Sequence, residues 1–249
     1  MAHIMRKIAA VTFDLWDTLI QERPGGSDKV ARLRIDGIAS ILSARGIVHT
    51  DEELESAYTE TGEFLEMTWS KKRDMPVGNQ VLFMLSSIDD KLASKLANKE
   101  LAEIERIYAE SILDNPPMLL PGANDVLRSV KEKGYRIGLI SNTGRTPGSV
   151  LRIMMGRMDI LEYFDTTTFS NETLVRKPYE GMFRVTLDKL KVIPKAAVHV
   201  GDDADSDIAG AKKIGMNAIH LVAVGKSPSK VADEHVKSLD QVIDRIERL

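Results

Sequence analysis

The sequence predicts an α/β fold, a parallel sheet with helices on both faces, interrupted once by an all-helical insert. Three observations carry this reading. Apolar runs ending on acids or hydroxyls recur at 11–20, 135–143 and 197–203, each followed by a helical pattern. Between residues 27 and 115 strand-like runs give way to helical periodicity. From residue 118 onward strand and helix alternate with short links, the pattern of a parallel sheet.

The first run, Val11-Thr12-Phe13-Asp14-Leu15-Trp16-Asp17-Thr18-Leu19-Ile20, reads as a buried strand that begins near Arg6 and ends in a turn. An acid at the carboxyl end of such a strand sits where open α/β sheets place their ligands, so Asp14 is the first candidate for chemistry. Pro24-Gly25-Gly26-Ser27 breaks the pattern, and Ser27 or Asp28 is expected to cap a helix running to about Arg45. Thr50-Asp51-Glu52-Glu53 has the capping-box arrangement and opens a helix to about Lys72. Helical patterns follow at 77–86 and 89–113. Asn115-Pro116-Pro117 closes the insert, because paired prolines cannot continue a helix. The expected division is 1–22 with 118–249 as the α/β unit and 23–117 as the helical insert. Beyond Pro121-Gly122 the order is helix 123–133, strand 135–143, helix 150–158, strand 164–169, helix 180–190, strand 197–203, helix 207–214, strand 218–222 and a terminal helix from about residue 239.

Composition bounds the function. A hydrophobic share of 43% with 29% charged residues is ordinary for a globular chain, and a net charge of -3 gives no electrostatic case for nucleic acid. Zero cysteines exclude disulfides, thiolate metal sites and cysteine nucleophiles. No long apolar span or leader stands out, so the expectation is a cytoplasmic monomer or homodimer acting on a small molecule, with no membrane partner.

Asp14, Ser141 and the acids Asp202, Asp203, Asp205 and Asp207 stand at the carboxyl ends of three predicted strands. Lys177-Pro178 is a fourth feature, which Pro178 holds out of the helix that follows. In order and spacing these resemble motifs I to IV of the haloacid dehalogenase (HAD) superfamily, with Gly201-Asp202 followed by Asp207 as motif IV. Ser141-Asn142-Thr143-Gly144-Arg145-Thr146-Pro147-Gly148, Phe164-Asp165 and Phe169-Ser170-Asn171-Glu172 resemble the helical-cap branch. The resemblance implies a Rossmann-like core with an inserted helical cap domain. It also implies Asp14 as nucleophile, an aspartyl-phosphate intermediate, and Mg²⁺ held by Asp14, the Trp16 carbonyl, Asp202 and Asp207.

The chemistry of these residue types agrees with that reading. A carboxylate attacks a phosphate only if their repulsion is neutralised, which a divalent cation achieves by binding both. Carboxylate oxygens suit Mg²⁺. Lys177 adds fixed positive charge and is expected to hold Asp14 ionised. Ser141, with Asn142 and Thr143 after it, can donate to phosphate oxygens, and Thr18 is expected to orient Asp14. In the insert, Trp69 and Arg73, near the break at Pro76, are candidates for reading an anionic or planar group of the substrate; the alternative makes them bundle core and rim. Asp203 and Asp205 read as loop residues, and His199, on a buried strand, as a satisfied core histidine.

Trp16 is a departure. The metal-dependent phosphatases of the superfamily carry a second Asp there, acting as general acid and base. Trp16 keeps the carbonyl and loses the acid, a loss worth about 10²–10⁴ in rate. The dehalogenases proper also lack that acid and need no metal, since halide leaves without a proton. Gly201-Asp202-Asp203 leans back toward Mg²⁺. Three readings follow: an Mg²⁺-dependent phosphatase of small phosphorylated metabolites, a metal-free 2-haloacid dehalogenase, and a phosphate-binding regulatory protein of low turnover.

Overall fold

The computed structural model describes residues 7–249. The expected strand start at Arg6 lies outside the described residues. Strand β1 (Ala10–Phe13) leads into a short β2 (Ile20–Gln21), helices α1 (Gly26–Ala44), α2 (Asp51–Ser70), α3 (Val77–Ile88), α4 (Leu92–Lys95) and α5 (Asn98–Glu110), and a returning β3 (Met118–Leu119). There follow α6 (Ala123–Glu132), β4 (Arg136–Ser141), α7 (Gly148–Arg157), β5 (Thr166–Phe169), α8 (Ser170–Thr173) and α9 (Glu180–Leu190). The chain ends with β6 (Ala197–Gly201), α10 (Gly210–Lys213), β7 (Asn217–Leu221), β8 (Glu234–Val236) and α11 (Val242–Ile246).

The six-stranded sheet is parallel throughout, in the order β5-β4-β1-β6-β7-β8. Its strands, counted in chain order, run 3-2-1-4-5-6, the doubly wound arrangement. Strand order reverses at β1, which pairs with β4 on one side and β6 on the other. A crevice therefore opens at the carboxyl end of β1, where Asp14 stands, its N–H donating to Val200 O at 3.0 Å.

Alternation along the strands sorts side chains to two faces. Val11, Phe13, Ile137, Leu139, Val198 and Val200 join the larger apolar cluster, which contains Val126 and Leu127 of α6 and Leu151 and Met154 of α7. Ala10, Ile140, Ala197 and Ala218 face the other way, against Met182, Phe183 and Leu187 of α9 and Ala211 of α10. Small residues on that second face let α9 approach closely: a Cβ at Gly138 would lie 2.8 Å from Thr186 Cγ2. The helices between β2 and β3 bury Ile38, Leu42, Leu54, Met84, Leu85 and Ile104, and these are continuous with the larger cluster. β2 and β3 pair antiparallel, and Arg23 Nε donates to Pro116 O at 2.9 Å, so both links of the insert leave the sheet together.

Several local expectations need correction. Helix α1 starts from Gly25 in a left-handed conformation with no side-chain cap, because the Ser27 hydroxyl donates to Glu22 instead. The helix expected over 89–113 breaks twice. Asp89 is extended, with its carboxylate accepting from the Lys91 N–H at 2.9 Å, and Leu96 and Ala97 are extended before the Glu100 carboxylate accepts from the Ala97 N–H at 2.7 Å. The helix expected over 207–214 is a π-helical turn, Ala204–Ala209, running into α10. The capping box at Thr50 and Glu53 forms as expected.

Candidate active site

Asp14, Asp202 and Asp207 converge at the carboxyl ends of β1 and β6, offering oxygens that all lie within 4.8 Å of one another. Lys177, on the stretch after α8, reaches into this group. Its Nζ donates to Asp14 Oδ1 and to Asp207 Oδ1, both at 2.6 Å. The lysine is 3% exposed, which fixes its charge between two carboxylates. Its backbone is set from β4: the Asn142 side chain accepts from Lys177 N–H at 2.8 Å and donates to Lys177 O at 3.3 Å. The Lys177–Pro178 peptide is cis.

Asp207 is fully buried, and both of its oxygens are bonded. Its Oδ1 also faces His199 Nε2 at 3.2 Å, and its Oδ2 accepts from Asp203 N–H at 3.1 Å. Burial alone would raise its carboxyl, but Lys177 and His199 bring it well below the usual range. An ionised Asp207 can only accept, so His199 carries its proton on Nε2. The other ring nitrogen, Nδ1, lies 2.9 Å from the Thr12 hydroxyl, which donates to it. Burial holds His199 below its ordinary pKa, hence neutral. The π-helical turn brings Asp207 back over the strand end, and only glycine tolerates it there: a Cβ on Gly201 would lie 2.6 Å from Asp207 Cβ.

Lys177 pairs with Asp14 as expected, and burial opposes the lysine there. Burial pushes Asp14 up to about 8, outweighing Lys177, while the neighbouring Asp207 charge raises it further. Lys177 is shared between Asp14 and Asp207. Burial on its own would lower Lys177, yet Asp14 and Asp207 carry it above its ordinary value. Asp202 is pushed up to about 7 by burial and by Asp207 and Asp17. Once deprotonated, three acids against one lysine carry an excess of negative charge that a divalent cation would neutralise, and their hard oxygens fit Mg²⁺.

Other expected residues fall in several places. The Thr18 hydroxyl donates to Asp202 Oδ1 at 3.4 Å rather than to Asp14, because the turn after β1 points it toward β6. Ser141 is buried at the end of β4, its hydroxyl facing Asn142 O at 3.3 Å. Thr143 is buried and bonded to Asp74 and Ser170, both at 3.1 Å. A cavity of about 590 Å³ lies between the insert and the core, lined by Trp16, Trp69, Asn142 and Thr143 among others. Arg73 does not line it: the side chain is exposed, and its backbone forms an antiparallel bridge to Val175.

The cations that do line the cavity are Arg23, Arg34, Arg145 and Arg176. Arg176 pairs with Asp74 at 2.9 Å and lies 4.3 Å from the Trp69 ring centre. Asp74 also accepts from Trp69 Nε1 at 3.2 Å and from the Ser170 hydroxyl, fastening the α2–α3 loop to the core. Arg176 had a weak signal as the neighbour of Lys177, and Arg145 lies within the loop singled out after Ser141. Arg34 and Asp74 had none, since their partners come from distant stretches of chain.

The fold and site together are a parallel doubly wound sheet with a lysine-bridged carboxylate cluster at its reversal point. Residues 8–215 match the family described as haloacid dehalogenase-like hydrolase, and the chain belongs to that family. It is 32% identical over 167 residues to haloacid dehalogenase-like hydrolase domain-containing protein 3 of Xenopus laevis, covering 66% of this chain and 64% of that protein. It is 24% identical over 249 residues to the glyceraldehyde 3-phosphate phosphatase of Pyrococcus furiosus, covering 98% of this chain and 95% of that one. The crystal structure of a 2-haloacid dehalogenase from Pseudomonas syringae pv. Tomato DC3000 shares the fold, with a TM-score of 0.73, 24% identity and coverage of 97% and 99%. Among the described residues no helix is long and apolar enough to cross a membrane.

Proposed function

We propose that the chain is a divalent-cation-dependent phosphatase of small phosphorylated metabolites, with Asp14 as nucleophile. The observation that carries this reading is the acid group Asp14, Asp202 and Asp207 bridged by the buried Lys177. The name of the Pyrococcus furiosus relative, a glyceraldehyde 3-phosphate phosphatase, supports it. Asp14, Asp202 and the Trp16 carbonyl would hold Mg²⁺. Asp207 is the third carboxylate of the group, its oxygens shared with Lys177, His199 and the Asp203 N–H. When bound, the ion supplies charge neutralisation between carboxylate and phosphate.

As the carboxylate, Asp14 attacks phosphorus: an Asp14–phosphate bond forms, the bond from phosphorus to the ester oxygen breaks, and that oxygen departs as its anion, to take a proton from water. Water then cleaves the acyl phosphate, restoring the carboxylate and releasing inorganic phosphate. Lys177 balances the charge of Asp14, and Ser141 with the following loop receives phosphate oxygens. Because Trp16 cannot protonate the leaving group, substrates whose leaving oxygen is a weak base are favoured. Residues 23–117 act as a cap, with Trp69 over the cavity, that keeps bulk water from the reacting centre.

The test is a panel of phosphate esters, acyl phosphates and 2-haloacids, each with Mg²⁺ and with EDTA. Mg²⁺-dependent phosphate release, with an adduct on the Asp14 peptide in acid-quenched samples, is expected. The dehalogenase reading rests on Trp16 alone, and halide release unaffected by EDTA would replace the proposal with it. Tight phosphonate binding without turnover would favour a regulatory protein.

A further inference from the structure

Two guanidinium groups lie in the cavity with no acid to meet them. Arg34 of α1 is buried, and its Nε donates to Tyr108 O at 2.7 Å. Its terminal nitrogens donate to the Tyr58 hydroxyl at 3.1 Å and to Thr146 Oγ1 at 2.9 Å. Arg145, on the loop after β4, donates to the Tyr108 hydroxyl at 2.6 Å and to Tyr58 O at 2.8 Å. Its guanidinium lies 3.8 Å from the Tyr58 ring centre. The same two tyrosines thus hold both cations. Among the described residues neither arginine pairs with a carboxylate, whereas Arg176 in the same cavity is answered by Asp74.

Neutral partners alone leave the charge of the buried Arg34 uncompensated, and the half-buried Arg145 on the same tyrosines adds a second positive charge. Each guanidinium has five N–H donors in a planar fork. Protein acceptors take three from Arg34 and two from Arg145, so donors remain on both. Space has also been kept for Arg145. In the middle of α2 stands Gly62, a poor helix residue, where a Cβ would come within 2.8 Å of Arg145 Nη2. The cavity joins these arginines to Trp16 and Asn142, which border the acid cluster, while the acids that line it, Glu22 and Asp28, are exposed.

We infer that the substrate carries a second anionic group, a carboxylate or a second phosphate, which Arg34 and Arg145 bind while the phosphate to be cleaved meets Asp14. This rests on the phosphatase reading of the acid cluster. A planar fork on each arginine suits either anion bidentately. Arg34 comes from the insert and Arg145 from the core, so a bound dianion also ties the two together.

Calorimetric titration of the full chain in Mg²⁺ tests this with three inert probes: methylphosphonate, 3-phosphonopropionate and propane-1,3-bisphosphonate. At least one two-anion probe is expected to bind about tenfold or more tighter than methylphosphonate, and whichever does so identifies carboxylate or phosphate. Arg34→Gln and Arg145→Gln should each bring that ratio to within about threefold. Gly62→Ala, which crowds Arg145 without removing a charge, should narrow it as well. Should an arginine variant fail to fold by circular dichroism, the wild-type ratio and Gly62→Ala decide. No preference in the wild type, or a preference kept by all folded variants, overturns the inference. Arginine-dependent binding of the two-anion probes without Mg²⁺-dependent methylphosphonate binding rejects the phosphatase reading and keeps the arginine site. If no probe binds, both fall.

Discussion

Lys177 shows how one side chain sets a site. It neutralises Asp207 and half-satisfies Asp14 from a position with almost no access to water. Lys177→Met would leave two buried carboxyls without a cation, and removing one partner of a buried pair costs about 3–5 kcal/mol. The loss of stability is expected to be larger at about pH 8 than at pH 5.5, because protonation relieves unpaired acids. Urea unfolding at the two pH values measures it, and a pH-independent loss would mean the acids are not what the lysine holds. Trp16 lines the cavity one residue past Leu15, where an acid would stand beside the departing oxygen. Trp16→Asp should therefore speed hydrolysis of alkyl phosphates by about 10²-fold or more, and of aryl or acyl phosphates much less. Equal gains for all leaving groups would argue that the change only opens space.

At the scale of elements, the α2–α3 loop is fastened to the stretch after α8. Asp74 N–H donates to Leu174 O at 3.1 Å, Arg176 N–H to Lys72 O at 3.1 Å, and the buried Asp74 carboxylate gathers Arg176, Thr143, Ser170 and Trp69. Asp74→Ala removes the acceptor from a half-exposed tryptophan and a desolvated arginine. A loss of about 3 kcal/mol is expected, with faster amide exchange at 71–76 and 174–176 than in β1 or β6. Exchange that speeds up uniformly would mean the loop is not a separate fastening. Gly201→Ala tests the strand-to-π-turn junction. A methyl there meets Asp207 Cβ and Cγ, so the turn must shift and carry Asp207 off Lys177. Loss of Mg²⁺-dependent turnover with near-native far-ultraviolet circular dichroism is expected, whereas full activity would show that Asp207 need not sit there.

For the whole molecule, the acid cluster links folding to cations and protons. Asp14 and Asp202, pushed up to about 8 and about 7, bind protons more tightly folded than unfolded. Without a cation each therefore costs stability as pH rises from about 4 through its folded value. Asp207 has the opposite sign: its depressed pKa stabilises the fold above the ordinary carboxylate range, and that contribution is lost progressively as pH falls from about 4 through its folded value. A divalent ion on the proposed site would bind the deprotonated cluster, so the rise in thermal midpoint on replacing EDTA with Mg²⁺ should grow from about pH 5.5 to 8.5. A rise that shrinks with pH would contradict a carboxylate site.

The sequence by itself determined the parallel sheet, its helical interruption, the three strand-end features and Lys177-Pro178, because each is written in local periodicity or in a single residue type at a turn. Asp14, Ser141, Asp202 and Lys177-Pro178 were legible for that reason, and so was the capping box at Thr50. Tertiary structure alone decided which groups share charge. Lys177 meets Asp207 as well as Asp14 because β1 and β6 are neighbours, a pairing that no local pattern encodes. It also turned Thr18 toward Asp202, put Arg73 outside the cavity and brought Arg34 and Arg145 onto the same pair of tyrosines. Two-residue strands such as β2 and β3 were silent in the sequence, since a pair that short has no period to read. Burial raised Asp14 against its own lysine for the same reason: desolvation depends on every neighbour at once, and those neighbours are assembled only by the fold.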